Sequence, residues 1–126
     1  MKLTQIRQIS LPVSDLERAV AFYRDILGAS FTASFDPPGI GFFDFSGVRL
    51  FLEQGKAGSV IYFAVDDIGA AVNEMKSHGV VFDNDPHMIF RDAEGQFGPA
   101  GTEEWMVFFN DSEGNTLALS ERRPLS

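Results

Sequence analysis

The chain has no cysteine among its 126 residues. That excludes disulfides, thiolate metal ligands and cysteine nucleophiles, and makes a reducing cytoplasm the expected setting. It also lacks an apolar run of the roughly 18 to 20 residues that span a bilayer. The opening MKLTQIRQIS has no signal-peptide core. Basic residues are scarce, with ten Lys and Arg against eighteen Asp and Glu and a net charge of −8. Phosphate backbones are bound by basic surfaces, so nucleic acid is not expected as a partner. There is no glycine-rich phosphate loop after a strand, no Gly-x-Ser-x-Gly elbow and no His-Glu-x-x-His pair.

What the chain does contain is a repeat. Gln8 to Gly28 reads QISLPVSDLERAVAFYRDILG, and fifty-two positions later Val60 to Gly79 reads VIYFAVDDIGAAVNEMKSHG. Ile9 and Ile61, Val13 and Val65, Asp15 and Asp67, and Ala19-Val20 and Ala71-Val72 coincide. Each copy alternates as a half-buried strand does, changes to helical spacing, and stops at a glycine suited to a left-handed cap. Ser14 to Glu17 has the form of a capping box. The expected buried stripes are Leu16, Ala19, Val20, Tyr23, Ile26 and Leu27, and then Ile68, Ala71, Val72 and Met75.

Further strands are expected at 31–35, 41–45 and 48–53 in the first half, and at 80–82, 87–91, 105–109 and 115–121 in the second. The ends of the halves match at a spacing of 67, Gly47-Val-Arg-Leu-Phe-Leu against Gly114-Asn-Thr-Leu-Ala-Leu. The chain therefore reads as one domain of two modules, 1–54 and 60–126, with 55–59 closing a glycine-rich linker. Asp92 to Thr102, with three glycines and a proline, is expected as an exposed, mobile loop. Hydrophobic residues make up 44% of the chain and thirteen are phenylalanine, which points to a dense core or an aromatic-walled cavity.

The order strand, helix, three strands, said twice, resembles the vicinal oxygen chelate superfamily of glyoxalases, bleomycin-resistance proteins, fosfomycin-resistance enzymes and extradiol dioxygenases. The stretches that carry the resemblance are Ile9-Ser-Leu-Pro-Val-Ser-Asp15, Ala21-Phe-Tyr-Arg-Asp-Ile-Leu-Gly28 and Phe109-Asn-Asp-Ser-Glu-Gly-Asn115. It implies an α+β fold in which two tandem βαβββ modules form a cupped sheet with helices on the outer face. Fold alone does not settle activity.

Alternation indicates which side chains enter such a cup. If Ile9, Leu11 and Val13 lie under the helix, Gln8 and Ser10 face inward, as do Val60, Tyr62 and Ala64 in the second copy. In the closing strands Arg49, Phe51 and Glu53 face inward, and so do Thr116, Ala118 and Ser120. The resemblance further implies that metal-dependent members place ligands at positions matching Gln8, Phe51, Val60 and Ala118. Only Gln8 has a lone pair to offer, so no metal is expected; with the strand shifted by two residues, Gln8 and Glu53 would remain for Zn, Ni, Mn or Fe, fewer than the three protein ligands of catalytic zinc.

The candidate ligand-binding residues are Gln8, Ser10, Arg49, Phe51, Val60, Tyr62, His87, Trp105 and Ala118, with His87 and Glu53 as candidate catalytic groups. His87 is either a cup residue able to act as a base or a rim histidine bonded to backbone. Arg49 and Glu53, two apart on one strand face, either pair or anchor a ligand. Trp105, Tyr62 and Phe51 are stacking walls or core. Glu103-Glu104 reads as a solvated strand end, and His78 as a helix-end cation. The expectation is a cytoplasmic, homodimeric, metal-free protein that binds a small molecule. A lyase, isomerase or dioxygenase with a displaced metal site is the alternative.

Overall fold

The computed structural model describes all residues, 1–126. The chain divides into two compact units, residues 8–60, and residues 61–126 together with 1–7. The first seven residues belong with the second unit because the Gln5 carbonyl accepts the Ala64 amide at 2.9 Å. In the first unit β1 (Ile6–Val13) leads into α1 (Leu16–Ala21), followed by β2 (Ser30–Phe35), β3 (Ile40–Phe45) and β4 (Val48–Gln54). The sheet order is β2-β3-β4-β1, with β1 parallel to β4 and the other pairs antiparallel. The second unit repeats this with β5 (Val60–Ala64), α2 (Ile68–Ser77), β6 (His87–Asp92), β7 (Thr102–Asn110) and β8 (Thr116–Pro124). Its order is β5-β8-β7-β6, with β5 parallel to β8. The class is α+β, and each half is a βαβββ module. Neither helix is long and apolar enough to cross a membrane.

The repeated aspartates are the helix caps. Asp15 accepts from the Arg18 amide at 3.1 Å and Asp67 from the Ala70 amide at 3.0 Å, which satisfies one of the free N–H groups at each helix start. The expected Ser14 cap is therefore displaced by one residue, and Ser14 instead accepts from the Arg18 guanidinium. A second device is also duplicated. Gln54 accepts the Leu16 amide and Glu121 accepts the Ile68 amide, both at 2.8 Å. Leu16 and Ile68 stand fifty-two apart and Gln54 and Glu121 sixty-seven apart, so each helix start is tied to the last strand of its own module.

Each helix covers one face of its sheet. Leu16, Val20, Phe43, Leu50 and Leu52 form the first core, with Leu11, Val13 and Tyr23 against it. Ile68, Ala71, Val72, Met75, Val107 and Leu119 form the second, with Phe63, Val65 and Phe109 against it.

Three expectations fail for local reasons. After Ala21 the first helix widens into a π-helical turn, Phe22–Ile26, closed by the Leu27 amide on the Phe22 carbonyl. The extra residue in that turn rotates the stripe, leaving Ile26 72% and Leu27 57% exposed. No strand forms at 80–82, where Val80 and Phe82 pack on the α2 core. The segment 92–102 is not a loose loop, because Asp92 accepts the Gln96 and Phe97 amides at 2.7 and 3.0 Å and folds the chain around itself.

Candidate functional site

The face of the first sheet turned away from α1 is set by register. Opposed residues on neighbouring strands share a face, and three rows result. Gln8, Arg49 and Asp44 form one, Ser10, Phe51 and Phe42 the next, and Pro12, Glu53 and Ile40 the third. Gln8 and Arg49 are 3% and 5% exposed, and the Arg49 Nε donates to the Gln8 Oε1. Arg49 and Glu53, read as either a mutual pair or a ligand anchor, make no ion pair with each other. Ser10 is buried, and its Oγ accepts the Val60 amide at 3.0 Å.

Phe51 stacks on Phe42 with ring centroids 4.9 Å apart and planes within 10°. That separation is about the spacing of adjacent strands, so the two rings stand side by side on their strands. Phe35 meets Phe42 edge-on at 6.4 Å. Glu53 is half-buried, its neighbours across the sheet are Pro12 and Ile40, and its carboxylate makes no hydrogen bond or ion pair within the chain.

In the second unit the corresponding face carries Tyr62, Ala118 and Phe108 in one row, and Ala64, Ser120, Met106 and His87 in the next. Tyr62 and Phe108 meet edge to face at 5.8 Å. Ser120 is fully buried and its hydroxyl has no partner. A register shift between Met88 and Phe90 breaks the alternation of β6, so Phe90 shares the face of His87 instead of opposing it. His87 lies exposed on this outer strand, its Nδ1 3.4 Å from the Asp85 carbonyl.

Trp105 is placed differently from a ligand wall. It packs on the α2 core, donates to Glu103 at 3.2 Å, and has the Arg123 guanidinium 4.3 Å from its ring centroid. Its indole is occupied within the fold.

Sequence reasoning missed the most charged part of the molecule. Glu103 and Glu104 are buried, not solvated, at 2% and 0% exposure. Arg122 donates to Asp92 at 2.6 Å, to Thr102 at 2.8 Å and to Glu104 at 3.2 Å. Its Cζ lies 5.7 Å from the Phe90 centroid, and a Cβ on Gly98 would come within 2.4 Å of it. Burial by itself raises the Asp92 carboxyl. The Arg122 bond and the Phe97 and Gln96 amides outweigh that and hold it below the ordinary carboxylate value. A signal for part of this cluster was present. Asn110 pairs with Thr116 across the β7–β8 turn, and counting six residues outward on each strand reaches Glu104 and Arg122.

That turn also explains the 109–115 stretch. Asp111 accepts the Glu113 and Asn115 amides and the Asn115 side chain. Its bonds with Asn115 and Glu113 hold its carboxyl low. The stretch builds a hairpin corner.

The donor set at the four family positions does not suit a divalent metal. The side chains of Phe51, Val60 and Ala118 offer no lone pair, and Gln8 Oε1 already accepts from a guanidinium. No three His, Cys, Asp or Glu side chains converge elsewhere.

Known proteins agree with this architecture. A family model described as the Glyoxalase/Bleomycin resistance protein/Dioxygenase superfamily matches residues 5–119. A glyoxylase-like domain-containing protein of Didymella fabae is 32% identical over 130 residues, covering 94% of each chain. Among solved structures, a hypothetical protein from Bacillus halodurans C-125 has a TM-score of 0.71 at 18% identity, covering 97% of this chain and 96% of that one. Methylmalonyl-CoA epimerase from Mycobacterium tuberculosis has a TM-score of 0.66 at 20% identity, covering 97% of this chain and 90% of its own. With the doubled βαβββ order, the duplicated caps and a family match along most of its length, the chain belongs to the glyoxalase/bleomycin resistance protein/dioxygenase superfamily.

Proposed function

We propose that this protein binds a small organic molecule without a metal ion, as a sequestering or carrier member of its superfamily. The observation that carries this is the Arg49–Gln8 bond. A carboxamide oxygen can serve a metal only if its lone pairs are turned to it, and a guanidinium beside it repels a divalent cation. The remaining family positions are phenylalanine, valine and alanine, which suit an apolar ligand surface.

An enzymatic alternative would use Gln8, Glu53 and His87 as a displaced centre. Methylmalonyl-CoA epimerase and a 2,3-dioxygenase are among the proteins of similar fold. Two features favour binding over catalysis: Gln8 is committed to Arg49, and His87 is exposed on an outer strand beside a backbone carbonyl.

Equilibrium dialysis of the purified protein against Zn, Ni, Mn and Fe(II) tests the reading. The expected result is no stoichiometric binding at micromolar metal. Tight one-to-one binding that disappears in Gln8→Ala or Glu53→Gln would overturn it.

A further inference from the structure

We infer that the sheet face of the first unit recognises an organic cation with an aromatic or apolar body, and that Glu53 is its counter-ion. This deepens the metal-free binding reading above and rests on it. Three observations converge.

Glu53 is half-buried yet has no donor within the chain. Its cross-strand neighbours cannot supply one from their side chains, since Pro12 and Ile40 are hydrocarbon. A half-buried carboxylate that no protein donor engages is open to an incoming cation.

Two residues away on the same face, about 7 Å along the strand, stands the Phe51 ring, stacked on Phe42 with Phe35 edge-on beyond it. Phenylalanine rings attract cations through their faces and take up hydrocarbon by contact. A ligand that spans this distance satisfies both elements at once, placing its charge at Glu53 and its body along the rings.

The competing chemistry is an anion at Arg49. That guanidinium is 5% exposed and already donates to Gln8, so an anion would have to displace a buried bond to reach it. Glu53 is more accessible and opposes a negative ligand directly. The chain's net charge of −8 adds a long-range preference of the same sign.

Isothermal titration of the metal-free protein with benzyltrimethylammonium, benzyl alcohol and phenylacetate tests the inference. The cation is expected to bind at least about tenfold more tightly than the anion. Added salt should shrink the margin. Glu53→Gln, which keeps the side-chain shape, should abolish the preference while leaving the thermal midpoint in place. Phe51→Leu should weaken all aromatic probes together; if it fails to fold, the Glu53→Gln comparison still decides. Phenylacetate binding as tightly as the cation, or an order of affinities unchanged in Glu53→Gln, would overturn the cation while sparing the small-molecule reading. Binding only after Zn or Mn is added would overturn both, as would binding of no probe at all.

Discussion

The two modules share a plan and use their charges differently. In the second, Asp92 and Glu104 hold Arg122 and thereby fasten the 92–102 segment to β7 and β8. In the first, Arg49 donates to the Gln8 carboxamide, and the Glu53 carboxylate, two residues beyond Phe51, has no partner within the chain. The second face directs its carboxylates to structure, whereas the first leaves one available to a ligand.

Substitutions can break this comparison. The largest effect is expected at Arg122→Met, which removes the cation that Asp92 and Glu104 share and should cost about 3–5 kcal/mol in urea unfolding. A loss below about 1 kcal/mol would mean that the cluster is not structural. Gly98→Ala sets a methyl against the same guanidinium and should cost about 1–3 kcal/mol. That loss should largely disappear in an Arg122→Met background, a coupling that a double-mutant cycle reads directly.

Acid should act through the same cluster. The folded Asp92 carboxyl lies below its ordinary value, so its contribution is complete above the unfolded value near ~3.9 and is lost as pH falls through the folded value. The urea midpoint should therefore drop as pH falls below about 4, and Asp92→Asn should flatten that drop. An unaltered acid slope in Asp92→Asn would argue that other carboxylates dominate.

The caps sharpen the comparison from the other side. Asp15→Ala and Asp67→Ala remove equivalent bonds and should each cost about 1 kcal/mol. Clearly unequal thermal shifts would mean that the modules do not share the cap energetics their sequences share. The smallest effect is expected for Glu53→Gln, within about 0.5 kcal/mol of the parent and on the stabilising side, because no protein partner is lost. A loss above 1 kcal/mol would reveal a structural role for the carboxylate.

Much of the fold was legible in the sequence, because strand alternation and helical spacing are local. Leu11, Val13, Leu50 and Leu52 lie under α1 as their parity requires. What escaped depends on chain geometry that periodicity does not carry. The π-helical turn at Phe22–Ile26 rotates Ile26 and Leu27 out of the stripe, and the bulge in β6 moves Phe90 to the face of His87. Trp105 follows the parity of Val107 and Phe109 to the α2 side, the core placement rather than the ligand wall that its aromaticity equally allows. The pairing of Glu104 with Arg122 needed the β7–β8 register, and the place of Asp92 needed the fold of its loop. Placing Gln8, Arg49, Phe51 and Glu53 on one face followed from alternation. That Arg49 bonds Gln8 while the Glu53 carboxylate bonds nothing within the chain could be read only from the folded chain.

The most direct test of the contrast between modules is an amide chemical-shift map of the metal-free protein titrated with benzyltrimethylammonium. Shifts centred on β4 and its neighbours β1 and β3, near Glu53 and Phe51, and absent around Glu104 and Arg122, are the predicted result. Shifts centred on 102–106 and 118–122, with β4 silent, would contradict it.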